Sequence, residues 1–534
     1  MIIVLAPESA KHAAILVTAA LRRSVSLSQV ELFSGEQIQA HTYGLVVAIN
    51  PDKEITEHIN KALSRNCRLK IILFGSLTEE LMNLLDVQHR DWPSQLVAAA
   101  CSKQALAGKY AESSARIHYN DLVWGLQAKS WQRPLERFDF TNEWNNLGYG
   151  AVRADKSDWS IAMPVEANES CSLAEISSYD FEGLAYSALR DLDHSSILWF
   201  NRANGPIDSF EWKVVEDFIS HWRGSDLPCI PVIKEVPHGY DCCVTMRLDC
   251  DEDIESARDL RHEYHRLEVP FSLAIHTRNL QDPSQHQLIQ EMSAEGESIL
   301  SHSATHASNW GGSYTAAVEE ASLSAKALKK LTGQSPKYAV SPFHQTPSFA
   351  LQALADCGYS GCIGGIISCN PEFLIARGGE LAKMPRRFIG HSQQHMLHGE
   401  CLLDKEDPLE TSKRAFNLAK ETGMLFGYLD HPFSERYSYG WKDEASRINA
   451  HRDLILFIKR STERPLFLSE DSALDFLQFK SGIQIVEHDQ EFVVCFDDKT
   501  NTMSQNACIE YRGDKFLALN GLNLHKGTSN KTSL

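Results

Sequence analysis

Short runs of aliphatic and β-branched residues alternate with longer stretches in which apolar positions return every three or four residues. Residues 1–6, 44–49 and 70–74 read as buried strands, and 8–23, 54–65 and 77–85 as amphipathic helices. Such alternation builds a parallel sheet covered by helices. From 132 to 206 the pattern shortens toward strands, with 136–140, 159–163, 173–176 and 197–200 as candidates. A helix is expected over 210–222, with Asp208 or Ser209 as its N-cap. Gly224, Pro228, Pro231 and Pro237 then mark a boundary between 224 and 239.

Beyond Gly239 strands alternate with helices expected at 252–267, 315–331 and 445–460, the second stopping just before Gly333, a suitable left-handed position past a helix end. From Pro465 the segments are short and alternating, at 482–486, 492–496, 507–511 and 515–519, and the tail 526–534 is expected to be mobile. The reading is α/β with three regions: an α/β N-terminal region over 1–223, as one unit or two subdomains, a central α/β unit over 239–464, and a small β-rich cap over 465–534.

Composition narrows the class. At 534 residues and 43% hydrophobic the chain can bury a sizeable core, which excludes a disordered, collagenous or coiled-coil protein. A net charge of −18 argues against nucleic acid or anionic lipid as partners. The apolar stretch 13–21 falls short of the ~20 residues that cross a bilayer. No basic segment precedes it as in a signal peptide, so a soluble, unprocessed protein is expected. Thirteen cysteines without a CxxC pair fit reduced thiols and a cytoplasmic location. No glycine-rich phosphate loop, GxSxG elbow or HExxH helix is present.

Four patches carry candidate chemistry. The run 244–253 is apolar and ends in Asp249, Asp251 and Asp253; in an extended chain Asp249 and Asp251 share a face, although Asp251 or Asp253 as a helix cap serves equally well. His302 and His306 follow another apolar stretch and, with an upstream Asp, supply two imidazoles and a carboxylate, a facial set suited to Zn²⁺ or a similar cation; alone, such a pair is commonly a solvated surface feature. Ser341-Pro342-Phe343 and Leu429-Asp430-His431 complete the series.

In this order the four patches resemble the motifs of the polysaccharide deacetylase family (NodB homology, carbohydrate esterase 4-like), and the Asp-x-Asp form is similar to cytoplasmic-type members acting on sugar precursors. The likeness covers roughly 239–460. It implies a distorted (β/α)7-type barrel with the site at the C-terminal strand ends. By the same resemblance Asp249 is the general base, Asp251, His302 and His306 hold a divalent metal with Zn²⁺ as first choice, and His431 is the general acid. The backbone N–H of Phe343 is implied as an oxyanion donor, with His344 beside it touching substrate or merely packed. The implied substrate is an N-acylated sugar, nucleotide- or lipid-linked, in bacterial surface polysaccharide synthesis such as that of O-antigen. The N-terminal region is left to recruit a partner protein, hold a carrier-linked sugar or complete a homo-oligomer. A glycan-binding or scaffolding protein without turnover is the alternative.

One position departs from the family. Where its third motif has an Arg two residues before the Pro, this chain has Val340, leaving Arg247, Arg386 or Arg387 to supply the charge. Trp310 and Trp441 are candidates for an aromatic lining, and 432–441 for a sugar platform or an ordered wall. His391, His395 and His398 have helical spacing, for a second metal or a plain polar face. A glycosidase using Asp249 and Asp251 leaves the two imidazoles without work.

Overall fold

The computed structural model describes residues 1–33, 44–65, 68–94, 116–120, 132–134, 160–178, 181–206, 209–364, 377–392, 395–399, 406–434, 436–497 and 506–526. The strand expected over 136–140 and most of the 526–534 tail lie outside them.

The N-terminal alternation folds as expected. The strands Ile2–Leu5, Leu45–Ile49 and Leu69–Phe74 are buried throughout, and the helices Lys11–Ser24, Lys53–Ser64 and Glu79–Leu85 turn apolar faces to them. With Val30–Phe33 and Ser195–Phe200 they form the parallel half of a nine-stranded sheet. Ser195–Phe200 is the pivot, because it runs parallel to Leu69–Phe74 on one side and antiparallel to Phe181–Leu192 on the other. The strand-rich stretch therefore continues the same sheet, through Ser172–Ser178, Arg116–Tyr119 and Gln132–Pro134. The following helix spans Trp212–Ser220 with Glu211 at its N-cap and no side-chain cap, so Ser209 does not cap it; Asp208 lies outside the described residues.

The central unit is a ten-stranded sheet. From Cys242–Cys250 outward, Ser272–Ile275, Ser298–Ser301, Tyr338–Val340, Gly361–Ile363 and Ile389–His391 follow in parallel, with Leu425–Asp430 and then His395–Met396 on the other side. Gly379–Glu380 lies antiparallel at the edge. Among the described residues the hydrogen-bonded order does not close into a ring. Helices connect the strands, among them Arg258–Arg266, Gln287–Glu295, Tyr314–Thr332 and Glu444–Ser461; Gly333, at φ +80°, ends the third. The first starts later than periodicity suggests, because 251–254 form a loop at the strand end.

Pro465–Leu468, read from sequence as the start of the cap, pairs instead with Cys242–Cys250 inside the central sheet, and a helix that the pattern did not announce, Glu470–Gly482, packs Leu474 and Leu477 into that sheet's core. Two small antiparallel sheets follow. One joins Cys508–Tyr511 and Asp514–Leu517 to Val232–Ile233; the other joins Gln484–His488, Glu491–Cys495 and Asn523–His525.

A buried ionic knot ties these regions together. Glu216, from Trp212–Ser220, takes Arg377 Nη2 at 2.8 Å, Lys234 Nζ at 3.1 Å and Ser24 Oγ at 2.7 Å. Burial pushes Glu216 upward, but the Arg377 and Lys234 charges override it and hold the carboxyl well below the usual carboxylate range. Its folded value is depressed, so its contribution to stability is present above the ordinary carboxylate pKa and is lost as pH falls through the folded value. Removing one partner strands a buried charge. Arg377→Met is expected to lower unfolding stability by about 3–5 kcal/mol in urea titrations at neutral pH; a loss below about 1 kcal/mol contradicts a structural role for the knot.

Candidate metal and catalytic site

The C-terminal ends of the parallel strands meet at one cavity of about 490 Å³. The predicted site residues reach it from the ends of four different strands. Asp249 and Asp251 come from the end of Cys242–Cys250, His302 and His306 from the loop after Ser298–Ser301, Phe343 and His344 from the turn after Tyr338–Val340, and His431 from just past Leu425–Asp430. Neither Asp251 nor Asp253 caps the next helical turn, Glu255–Ala257, whose N-cap is Ile254.

Asp251 Oδ1 lies 3.3 Å from both His302 Nε2 and His306 Nε2, and the two nitrogens are 3.1 Å apart. Donor atoms sharing a tetrahedral Zn²⁺ at roughly 2.0–2.1 Å stand ~3.3–3.4 Å apart, so this triangle has the dimensions of a ligand set. Asp251 Oδ1 is buried with no hydrogen-bond partner among the described residues. His302 Nδ1 faces the carbonyl of Val340 at 3.1 Å, which favours the tautomer with a free lone pair on Nε2. Burial, reinforced by the neighbouring His302, lowers His306 to about 4, leaving it neutral and able to ligate. The residues present fit a divalent cation.

The ligand loop is held from behind. Ser303 and His306 have positive φ, +64° and +53°. Glu320, on Tyr314–Thr332, accepts from the backbone N–H groups of Ala304 and Thr305 at 2.9 and 2.8 Å, and Ser303 Oγ accepts from His306 N at 3.0 Å. His276, placed by the end of Ser272–Ile275, sits 3.0 Å by Nδ1 from the Asp251 carbonyl, with its ring 5.7 Å from that of His306. Neither Glu320 nor His276 stood out in the sequence; the one available signal was that His276 directly follows a strand.

Asp249 is 2% exposed and needs a counter-charge. It comes from Arg247 on the same strand: Nε donates to Oδ1 at 2.7 Å and Nη2 to Oδ2 at 3.3 Å. Burial works to raise Asp249, and Arg247, with His302 and His431, outweighs it and holds the carboxyl below its ordinary value. Arg386 instead pairs with Glu380 at 3.2 Å, and the backbone of Arg387 bonds the same carboxylate, so neither reaches the site. Behind Arg247 lies Glu470, which burial lifts to about 7 against the pull of that guanidinium.

On the opposite flank His431 Nε2 is 3.7 Å from Asp251 Oδ2, and its ring stacks on Tyr439 at 4.5 Å and 10°. Its strand neighbour Asp430 is buried and bonded to Trp441 Nε1 and His451 Nε2. Trp441 therefore supports the wall rather than lining the cavity, and Trp310 is buried with Nε1 on the Gln345 carbonyl. The aromatic lining comes from Tyr437 and Tyr439, within the loop singled out for it, and from Phe343, which is 43% exposed and 4.5 Å from the His306 ring. Phe343 and His344 hold consecutive positive φ values of +51° and +55°, which side chains other than glycine rarely adopt. His344 is buried below, lowered to about 3 by desolvation.

The 391–398 histidines do not form a helical face. His391 and His395 lie on the short strands Ile389–His391 and His395–Met396, because this stretch pairs into the sheet. His398 alone enters the cavity, edge-on to His431 at 5.5 Å.

Residues 265–362 match the family model described as polysaccharide deacetylase. Comparison with curated proteins gives no match. Among solved structures, a family 4 acetyl xylan esterase from Clostridium thermocellum in complex with a cobalt ion is similar at 13% identity, covering 44% of this chain and 91% of its own, with a TM-score of 0.31. A family 4 carbohydrate esterase from Streptomyces lividans in complex with acetate gives 14%, 42% and 91%, and 0.29. The carbohydrate deacetylase Agd3 gives 10%, 98% and 97%, and 0.37. The stretch that matches the polysaccharide deacetylase family model is the one that supplies His302, His306 and Phe343 to the cavity.

Proposed function

We propose that the protein is a metal-dependent hydrolase that removes an N-acetyl or other N-acyl group from a sugar, with the unit over 239–464 as its catalytic part. The observation that carries this reading is the Asp251, His302 and His306 triangle, flanked in one cavity by Asp249 and His431. Asp251, His302 and His306 hold the cation, for which two imidazoles and a carboxylate suit Zn²⁺. When bound, it supplies Lewis acidity to the acyl oxygen and to water.

The chain's own groups do the rest. Asp249, kept ionised by Arg247, takes a proton from the attacking water as its oxygen bonds to the acyl carbon. The Phe343 backbone N–H donates to the oxyanion that develops on the acyl oxygen. His431 gives its proton to the departing nitrogen as the C–N bond breaks, releasing a carboxylate and an amino sugar. Tyr437, Tyr439 and Phe343 offer faces on which the C–H side of a pyranose stacks.

We further place the substrate among nucleotide- or lipid-linked N-acetyl sugars of bacterial surface glycans such as O-antigen, handled in the cytoplasm. Nine described cysteines are free thiols, as a reducing compartment maintains. Among the described residues no helix is long and apolar enough to cross a membrane.

Asp251→Ala and His302→Ala are expected to lose bound metal and to reduce acetate release from a panel of such sugars to background, with the far-ultraviolet circular dichroism spectrum unchanged. Undiminished acetate release from either variant contradicts the ligand assignment. His431→Ala should slow amide cleavage about 10²–10⁴-fold, yet an activated ester, whose leaving group needs no proton, less than about 10-fold. Equal losses on both substrates remove His431 from the acid role.

A further inference from the structure

Arg247 has a second carboxylate at its far edge. Its side chain is fully buried, with Nε and Nη2 spent on Asp249. Nη1 is also buried, makes no hydrogen bond among the described residues, and stands 3.8 Å from Glu470 Oε1. Glu470 Oε2 is likewise buried and makes no hydrogen bond among the described residues, with the Thr245 hydroxyl nearby. The two groups thus face each other in a dry interior, where an unmatched polar atom is costly.

The chain goes to some length to place Glu470 there. It lies far outside the segment that matches the family model. Pro465–Leu468 runs parallel to the beginning of Cys242–Cys250 with Leu468 beside Thr245. Just past this pairing Glu470 opens the helix, with Oε1 3.8 Å from Arg247 Nη1. The start of its helix is pinned to two more strands of the sheet, Glu470 N donating to Ser272 Oγ at 3.1 Å and Asp471 N to Ser298 Oγ at 3.0 Å. A guanidinium is a flat fork, so an acceptor oxygen on each edge fixes its plane as well as its position.

We propose that Glu470 is a positioning residue of the hydrolytic site, gripping the far edge of Arg247 so that the guanidinium plane is locked onto Asp249 and Asp249 is aimed at the attacking water. The inference rests on Asp249 as the base, as proposed above. It makes the Glu470–Gly482 helix part of the catalytic apparatus, so that the base is supported from a segment the family likeness does not reach.

The test uses the full-length, zinc-loaded protein and hydrolysis of 4-methylumbelliferyl acetate, an activated ester that reports on water activation without the acid step. Glu470→Met, of similar size but without an acceptor, should lower kcat roughly 10–100-fold with KM held within about twofold, since a small misplacement near the reacting atoms is enough for such a loss. Glu470→Gln keeps an acceptor and should retain at least about half of the wild-type kcat. In an Asp249→Asn background Glu470→Met should cost nothing further, because the group it positions is gone. Wild-type kcat in Glu470→Met, or the same fold-loss in both backgrounds, overturns the proposal and leaves Glu470 a structural residue. Should Glu470→Met fail to fold, Glu470→Asp carries the same two-background comparison. Undiminished turnover in Asp249→Asn, or no ester cleavage by the wild type, overturns the base assignment and this inference together; loss in Asp249→Asn beside an unaffected Glu470→Met overturns the inference alone.

Discussion

A carboxylate that must stay ionised while almost fully withdrawn from water is the constraint on which the site depends. Asp249 meets it through Arg247, two residues earlier on the same strand and therefore on the same face. A buried guanidinium in turn has to be matched. Its two used nitrogens face Asp249 and its third faces the Glu470 carboxyl, so that a row of three groups runs from the sheet interior to the cavity. The interior of a parallel sheet is a poor place for lone ions, and here Asp249 and Arg247 answer each other while the Glu470 carboxyl, lifted by burial, backs the guanidinium.

The parallel topology accounts for the other half of the site. Strands that all point the same way deliver their following loops to one rim, so residues distant in the chain become neighbours without any long loop. Asp251, His302 and His431 each sit within a few residues of a strand end. The loops are then stiffened from outside: Glu320 grips the backbone between the two histidines, and Trp441 and His451 hold Asp430 next to His431. The regions flanking the central sheet add to this rigidity through the knot around Glu216 and through Gln29, whose amide reaches the Ile485 carbonyl at 2.7 Å.

Much of this was legible in the sequence because it is local. The first parallel strands, the helix stopped by Gly333 and the strand-end carboxylates follow from periodicity, turn chemistry and the two-residue repeat of an extended chain. The same repeat that put Asp249 and Asp251 on one face also put Arg247 there, which singles it out over Arg386 and Arg387. What stayed hidden depends on partners far away in the chain. Pro465–Leu468 looks like a cap strand until its pairing with Cys242–Cys250 is known, and only that register gives Glu470 a neighbour. The spacing of His391, His395 and His398 suits a helix, but sheet pairing overrides it and sends His398 alone to the cavity. Trp310 and Trp441 have the right chemistry for a lining, yet hydrogen bonds to Gln345 and Asp430 turn them into supports.

The account stands on one cation shared by three side chains. Zinc K-edge X-ray absorption of the zinc-loaded protein tests it most directly. The prediction is a first shell of nitrogen and oxygen only, two imidazoles plus oxygen donors at roughly 2.0–2.1 Å. A shell containing sulfur at about 2.3 Å, or one without imidazole scattering, contradicts it.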